Sequence, residues 1–217
     1  MNVYSGESPE VQHAYITIAE FFGTYSLADA RRYITKMLKT AGSFHFWRDN
    51  PSNVLFFFEK LEELVLATLV IHREGSERQD GVITLAQDEM PSLTAYQQYC
   101  GWHHKSDPWY FFPRSLNRKE YANPYIVFKQ IAANGNRKKW RFVLREVQFY
   151  TLSTSSVNES EDIEFDALRL YRLFTKLVEA AHLIDVRAIN EVGGEPRPKW
   201  KGLPDVTDTG AISNTTI

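Results

Sequence analysis

Residues 50–74, NPSNVLFFFEKLEELVLATLVIHRE, decide the fold class of this chain. Asn50 and Ser52 are helix-capping residue types, and Pro51 between them suits the first turn of a helix. The apolar side chains that follow recur at intervals of three and four residues, which is the period of an α-helix. They are dense enough to bury one whole face of that helix. We therefore predict a long helix at the centre of the fold.

Helical patterns flank this central segment on both sides. Upstream, Ser8-Pro9 and Ser26 have the chemistry of helix starts, and Gly42 has that of a helix end. Downstream, the helical period returns after a stretch interrupted by prolines, and Asn136 marks a further start. The predicted flanking helices begin at Ser8, run from Ser26 to Gly42, and run over 124–134, 137–153 and 163–189.

The chain is predicted to be all-α, a helical bundle that forms one domain over residues 8–190. Its 217 residues are 43% hydrophobic, which is enough for one sizeable core. Residues 82–123, which include Pro91, Pro108 and Pro113, are predicted to form an irregular, aromatic-rich connection with one short helix at 93–99. Residues 191–217 are rich in proline, glycine and threonine and lack an apolar period, so we predict a flexible C-terminal tail.

An internal repeat is one explanation of the helical pattern. Residues 64–71 read LVLATLVI, and residues 177–184 read LVEAAHLI. Each segment lies late in a long helix that follows a shorter amphipathic helix. If the chain is duplicated, two helical hairpins pack as a four-helix core and 82–123 crosses the bundle. Because any two amphipathic helices share apolar spacing, a chance likeness remains the alternative.

Composition indicates a cytoplasmic protein. The net charge is −2, an ordinary balance for a soluble chain, and the longest apolar stretch, 65–71, is far shorter than a membrane helix requires. The single cysteine cannot form an intramolecular disulfide, and the first residues lack the basic and apolar regions of a signal peptide. We expect no membrane association and no cofactor.

Residues 100–115, CGWHHKSDPWYFFPRS, contain the one candidate centre for metal or covalent chemistry. Thiolate, imidazole and carboxylate are metal ligands, and a cysteine near a histidine can act as a nucleophile. A structural zinc site, however, normally needs a second ligand pair, and the chain has no further CxxC or HxxxH. The favoured interpretation is therefore an aromatic elbow that closes the core. The alternative is a small enzyme or metal-binding protein that uses Cys100, His103, His104 and Asp107.

A strong charge asymmetry gives the leading prediction for a binding surface. Residues 103–145 contain ten basic and two acidic residues, a local charge of +8, which leaves −10 for the rest of a chain whose total is −2. Basic side chains bind phosphates, and exposed rings stack on bases, so this mixture suits single-stranded nucleic acid. The predicted charge-bearing residues are Arg137, Lys138, Lys139 and Arg141, and the predicted aromatic contacts are Trp109, Tyr110 and Trp140.

These patterns favour a non-enzymatic interaction or regulatory module with its working surface in residues 102–145. The sequence has none of the glycine-rich, GxSxG or HExxH signatures of common enzyme classes. A protein partner or a second copy of the chain is the first expectation, because the basic residues can also pair with the chain's own acids. Nucleic acid is the second expected partner, and a protein scaffold or homo-oligomer is a further alternative.

Overall fold

The computed structural model describes residues 8–74, 81–100, 107–159 and 166–189, and the backbone of 191–192 and 195–196. These residues are helical or irregular, apart from one short antiparallel pairing of Glu191–Val192 with Glu195–Pro196. The predicted all-α bundle is confirmed. The α-helices are α1 (Pro9–Thr24), α2 (Leu27–Ala41), α3 (Pro51–Glu74), α4 (Pro108–Phe111), α5 (Arg118–Ala122), α6 (Tyr125–Asn134), α7 (Arg137–Leu152) and α8 (Ala167–Arg187), with 3₁₀ turns at Leu93–Gln98 and Val157–Glu159.

Helix starts lie where the capping residues predict them. The side chain of Ser8 accepts a hydrogen bond from the Val11 amide, and the side chain of Ser26 accepts one from the Asp29 amide. Each bond satisfies a backbone donor that the first helical turn leaves without an intrahelical partner. Asn136 caps α7 in the same way. The start of the last helix differs from the prediction, which places it at residue 163. Helix α8 begins at Ala167 with Asp166 as its cap, and residues 160–165 lie outside the described residues.

The predicted central helix is central in the structure. One face of α3, which includes Phe57, Leu61 and Leu64, is fully buried. This face packs mainly against α1, α6 and α7. In contrast, α2 makes few contacts with α3 and packs instead on α7 and α8. The core is therefore built by interleaving helices from the two ends of the chain, and α2 and α3 do not form a closely packed hairpin.

The helix neighbours have a two-fold pattern. If α1, α2 and α3 are matched in order with α6, α7 and α8, each main contact has a counterpart. The α1–α3 contact corresponds to α6–α8, the α3–α6 contact to α8–α1, and the α2–α8 contact to α7–α3. A duplicated three-helix unit would produce this arrangement. The sequence repeat itself stays a prediction.

The short elements between α3 and α6 lie over α8. The 3₁₀ turn Leu93–Gln98 contacts both α4 and α8, and α5 contacts α6 and α8. The predicted short helix at 93–99 is thus a 3₁₀ turn, with Ser92 as its cap. Of the predicted C-terminal tail, 191–192 and 195–196 pair with each other, and the remainder lies outside the described residues.

Candidate interaction surface

Part of the aromatic elbow packs into the core. Tyr99 and Phe111 are buried, and the Tyr99 ring meets the Phe112 ring edge to face at 5.2 Å between centroids. Cys100 is 1% exposed, and burial raises the pKa of its thiol to about 11. A thiol with that pKa is almost fully protonated at neutral pH, so Cys100 is a poor nucleophile.

The metal alternative gains no support from the described residues. Asp107 accepts a hydrogen bond from the Trp109 amide at 3.0 Å and caps α4. Cys100 is buried, and His103 and His104 lie outside the described residues. Across the described ranges, no group of three or more histidine, cysteine, aspartate or glutamate side chains is arranged to hold a metal ion.

Beneath the elbow, α8 carries a buried polar face that the sequence analysis missed. Glu179, His182 and Asp185, each three residues after the last, are buried together with Thr175. The Glu179 carboxylate accepts hydrogen bonds from the Arg31 guanidinium and from the backbone amides of Arg114 and Ser115. The signal in the sequence is Glu-x-x-His-x-x-Asp among the apolar residues of the buried face of α8.

Further bonds from α8 hold the connection. The Nε2 atom of His182 lies 2.6 Å from the Tyr99 carbonyl oxygen. Arg187 donates to the carbonyl oxygens of Gln98 and Tyr121, and its guanidinium lies 4.6 Å from the centroid of the Tyr121 ring. Burial lowers the pKa of Arg187 to about 10, so it is still protonated at neutral pH. His182 and Arg187 thus bind the backbone of the connection between α3 and α6, which indicates a structural role for both side chains.

The structure places the predicted binding residues in different environments, some buried and some exposed. Trp140 is 3% exposed, its Nε1 donates to the Ile131 carbonyl at 3.1 Å, and its ring packs on Phe174. The prediction that Trp140 supplies contact area is therefore wrong. The basic neighbours of Trp140 in the sequence favour a surface position, but the helical period turns its ring inward.

The four predicted basic residues are also separated by that period. Arg137, Lys138 and Lys139 are exposed at the start of α7. Arg141 instead donates to the Glu62 carboxylate of α3 at 2.7 Å, so part of the predicted positive charge is neutralised within the chain.

Trp109 and Tyr110 are exposed but lie elsewhere. Their exposed fractions are 47% and 54%. The Arg114 guanidinium lies 4.3 Å from the centroid of the Trp109 ring, and the Phe112 ring is parallel to it at 6.4 Å. Those contacts restrict stacking on a nucleobase. Two surface cavities that both include Arg141 contain no residue of α4, so neither cavity joins the predicted aromatic and basic groups.

The outer face of α7 carries a different combination of charge and rings. Lys138, Phe142, Arg145 and Phe149 are separated by four, three and four residues, which places them in one line along a helix. All four are exposed, Phe142 by 44% and Phe149 by 61%. We call this line the α7 stripe. Isolated exposed apolar residues are ordinary, but regularly spaced large rings on one helix face indicate a contact surface.

A groove between α3 and α7 borders the α7 stripe. It has a volume of about 630 Å³ and includes Leu55, Phe56 and Glu59 from α3 and Arg145 and Gln148 from α7. We call it the α3–α7 groove. The Trp47 amide, just before α3, donates to the carbonyl of Thr151 at the end of α7. With the Glu62–Arg141 pair at the other end, this bond shows that α3 and α7 run antiparallel.

Additional exposed apolar residues lie where α3 begins and α7 ends. The Trp47–Thr151 bond holds the segment before α3 at the end of α7. Phe44 is 67% exposed and Phe46 is 52% exposed, and Leu55 and Phe56 in the groove are each more than 40% exposed. Exposed apolar side chains are thus present at this end of the bundle in addition to the α7 stripe.

A second cavity, of about 720 Å³, lies on the other side of Arg141 between α1, α3 and the start of α7. Its charged side chains include Glu10, Lys60, Glu63 and Arg73. Most of this charge is paired inside the cavity, since Arg73 contacts Glu10 and Lys60 contacts Glu63. Glu20 and Arg137 line the cavity outside these pairs, so charge alone does not distinguish it from the α3–α7 groove.

Comparison with known proteins does not assign this surface. The chain matches no protein-family model, no curated protein and no solved structure. Among the described helices, none combines the length and the apolar character that crossing a bilayer requires. The function must therefore be inferred from the surface itself.

Proposed function

We propose that this protein is a non-enzymatic interaction module and that its contact surface is the α7 stripe together with the α3–α7 groove. The observation that carries the proposal is the exposure of Phe142 and Phe149 in line with Lys138 and Arg145. Large rings and arginine are the side chains that contribute most at protein interfaces. A position on a rigid, capped helix keeps them ready for contact, which lowers the entropy lost on binding.

The charge of the groove favours a protein partner over a nucleic acid. Its α3 wall contains Glu59, Glu62 and Glu63, and its α7 wall contains Arg141 and Arg145. Phosphates would be repelled by the acidic wall, whereas a protein can place a group of either sign against each wall. A cytoplasmic location is part of this proposal, because the chain contains one cysteine and that cysteine is a free thiol.

Site-specific photo-crosslinking tests the surface. A photoreactive phenylalanine analogue is placed at Phe142 or Phe149 in the full chain expressed in cells. The matched control is Leu168, which is 57% exposed on α8 and lines neither cavity. We expect discrete adducts from positions 142 and 149 that weaken when Arg145 is changed to glutamate. Equal adducts from all three positions, or none from 142 and 149, would contradict the proposal.

Nucleic acid is a second candidate, favoured by one observation. Arg137, Lys138 and Lys139 are exposed at the start of α7 and form no ion pair with any described residue. Fluorescence anisotropy with labelled single-stranded RNA and DNA at ~50 and ~200 mM salt measures this binding, since each phosphate contact steepens the salt dependence. Binding that is lost in the Lys138→Glu/Lys139→Glu variant supports this candidate, and no binding at the lower salt concentration removes it.

A further inference from the structure

We infer that the α7 stripe and the α3–α7 groove bind the same surface of a second copy of this chain, antiparallel about a two-fold axis. The inference rests on the proposed function and identifies its partner. A surface that meets its own copy must be self-complementary, so every residue i that contacts residue j is matched by j contacting i. The charges and the rings of this surface both satisfy that condition.

The charge condition is met by Glu59 and Arg145. They line opposite walls of the α3–α7 groove. Neither forms an ion pair with any described residue, although their neighbours Lys60 and Arg141 do. The surface therefore presents, outside these ion pairs, one acid from α3 and one base from α7. A second copy supplies the opposite charge at each position, and two identical ion pairs form.

The levels of the two residues along the groove agree with this arrangement. The Glu62–Arg141 pair fixes one level. Because α3 and α7 are antiparallel, Arg145 lies ~6 Å beyond that pair and Glu59 ~4.5 Å beyond it in the same direction, at ~1.5 Å per helical residue. They are thus nearly level with each other. A two-fold axis through this level, perpendicular to the groove, places Arg145 of one copy opposite Glu59 of the other.

The same axis pairs the exposed rings. Phe142 lies three residues before Arg145 on α7, and Phe56, which is 43% exposed, lies three residues before Glu59 on α3. An axis that exchanges the α7 and α3 walls of the groove places these two rings opposite each other, so Phe142 of one copy meets Phe56 of the other. Burial of four rings supplies the apolar centre that a stable dimer interface needs. Each α7 then lies against α3 of the other copy, in a four-helix interface.

Nucleic acid and an unrelated ligand fit this pattern less well. The groove presents unpaired charge of both signs, one from each wall, at the same level. A polyanion requires one sign. A second copy of the chain requires equal and opposite charges placed about an axis, together with rings spaced evenly on either side of it.

Charge reversal tests the inference with the full chain. Light scattering and sedimentation equilibrium between ~1 and ~200 μM measure the dimer dissociation constant. The wild-type chain is expected to reach twice its monomer mass of 25.2 kDa. Glu59→Arg and Arg145→Glu should each raise the dissociation constant about tenfold or more, because each change places two pairs of like charges at the interface. Lys139→Glu, an exposed reversal outside the α7 stripe, should leave it unchanged.

Two combinations make the test specific for a two-fold interface. The double variant Glu59→Arg/Arg145→Glu exchanges the signs and should restore dimerisation. An equal mixture of the two single variants should form heterodimers, because one chain then presents two bases at positions 59 and 145 and the other chain presents two acids there. Circular dichroism and thermal melts confirm that each variant is folded.

The outcomes separate this inference from the proposed function. A wild-type chain that remains monomeric at the highest concentration, or a dimer that no reversal weakens, overturns the two-fold dimer. If, in that case, photo-crosslinks from positions 142 and 149 still reach a different protein, the interaction module stands with another partner. If both measurements are negative, the proposed function fails as well.

Discussion

The Arg31 guanidinium of α2 lies 2.6 Å from the Glu179 carboxylate of α8, and the Glu179 side chain is completely buried. The same carboxylate accepts hydrogen bonds from two successive backbone amides, those of Arg114 and Ser115. Burial lowers the pKa of the Arg31 guanidinium, and the charge of Glu179 opposes this shift. One buried acid thus ties together an N-terminal helix, a C-terminal helix and the connection between the two halves of the chain.

Replacing Glu179 with glutamine should destabilise the fold severely. The change leaves the Arg31 charge without its partner in a mostly buried site, and loss of one member of a buried pair costs about 3–5 kcal/mol. Urea unfolding of the variant measures the loss in the free energy of unfolding. The control is Asp49→Asn, which removes the exposed Lys36–Asp49 pair and should cost less than ~1 kcal/mol. Equal costs for the two variants would contradict the anchoring role.

Glu120 should make stability depend on pH on the acid side. Burial raises the pKa of Glu120, but hydrogen bonds from the Lys176 ammonium, the Asn117 amide and the Gln130 amide outweigh this and hold it below its ordinary value of 4.5. A depressed pKa contributes stability that is present above the unfolded-state pKa and is lost as pH falls through the folded-state pKa.

The matching experiment compares the wild type with Glu120→Gln by urea unfolding from neutral to acidic pH. The wild type should be the more stable protein at neutral pH. The difference in the free energy of unfolding should shrink below about pH 4.5, because protonation then removes the same ion pair from the wild type. A difference that stays constant over this range would contradict the assignment.

The Cys100 thiol should be unreactive in the folded protein. Its pKa is raised from 9.0 to about 11, so the thiolate fraction near neutral pH falls about 100-fold, and burial also blocks access. Iodoacetamide labelling followed by mass spectrometry should give slow modification of the native chain and rapid modification in urea. Rapid labelling of the native chain would restore Cys100 as a candidate nucleophile.

Truncation to alanine should lower the free energy of unfolding strongly at Trp140 and hardly at all at Phe142. Trp140→Ala removes a ring that packs on Phe174 in the core and should cost about 3–5 kcal/mol of unfolding free energy. Phe142→Ala removes a ring of the α7 stripe and should change stability by less than ~0.5 kcal/mol. Urea unfolding measures both. A large cost at Phe142, measured at a concentration where the chain is monomeric, would place this ring in the core and remove it from the proposed contact surface.

Local rules predicted most of the fold. Ser8, Ser26 and Asn136 cap the helices that the sequence assigns to them, because capping depends on residues three positions apart. The central position of α3 followed from its apolar face. The packing of α2 on α7 and α8 was not accessible in this way, since it depends on contacts between helices that lie far apart in the sequence.

The surface was harder to predict for the same reason. The charge density along the sequence predicts one binding surface at residues 137–141, but a helix distributes consecutive residues around its axis. Trp140 turned inward and Arg141 paired with Glu62. The period of the helix identifies Lys138, Phe142, Arg145 and Phe149 as one line, and this pattern is legible in the sequence once α7 is assigned. The pairing of Glu179 with Arg31 cannot be recognised in the sequence, because the two residues lie 148 positions apart.

The interleaving of helices also determines when the chain can fold during its synthesis. The apolar face of α2 is covered largely by α7 and α8, and that of α3 partly by α6 and α7, all of which the ribosome makes later. The first three helices therefore leave the exit tunnel with uncovered apolar surface and wait for about half of the chain. Nascent chains with such surface aggregate readily and are typical clients of chaperones. For this protein, the nascent chain is most prone to aggregation between the synthesis of α3 and that of α8.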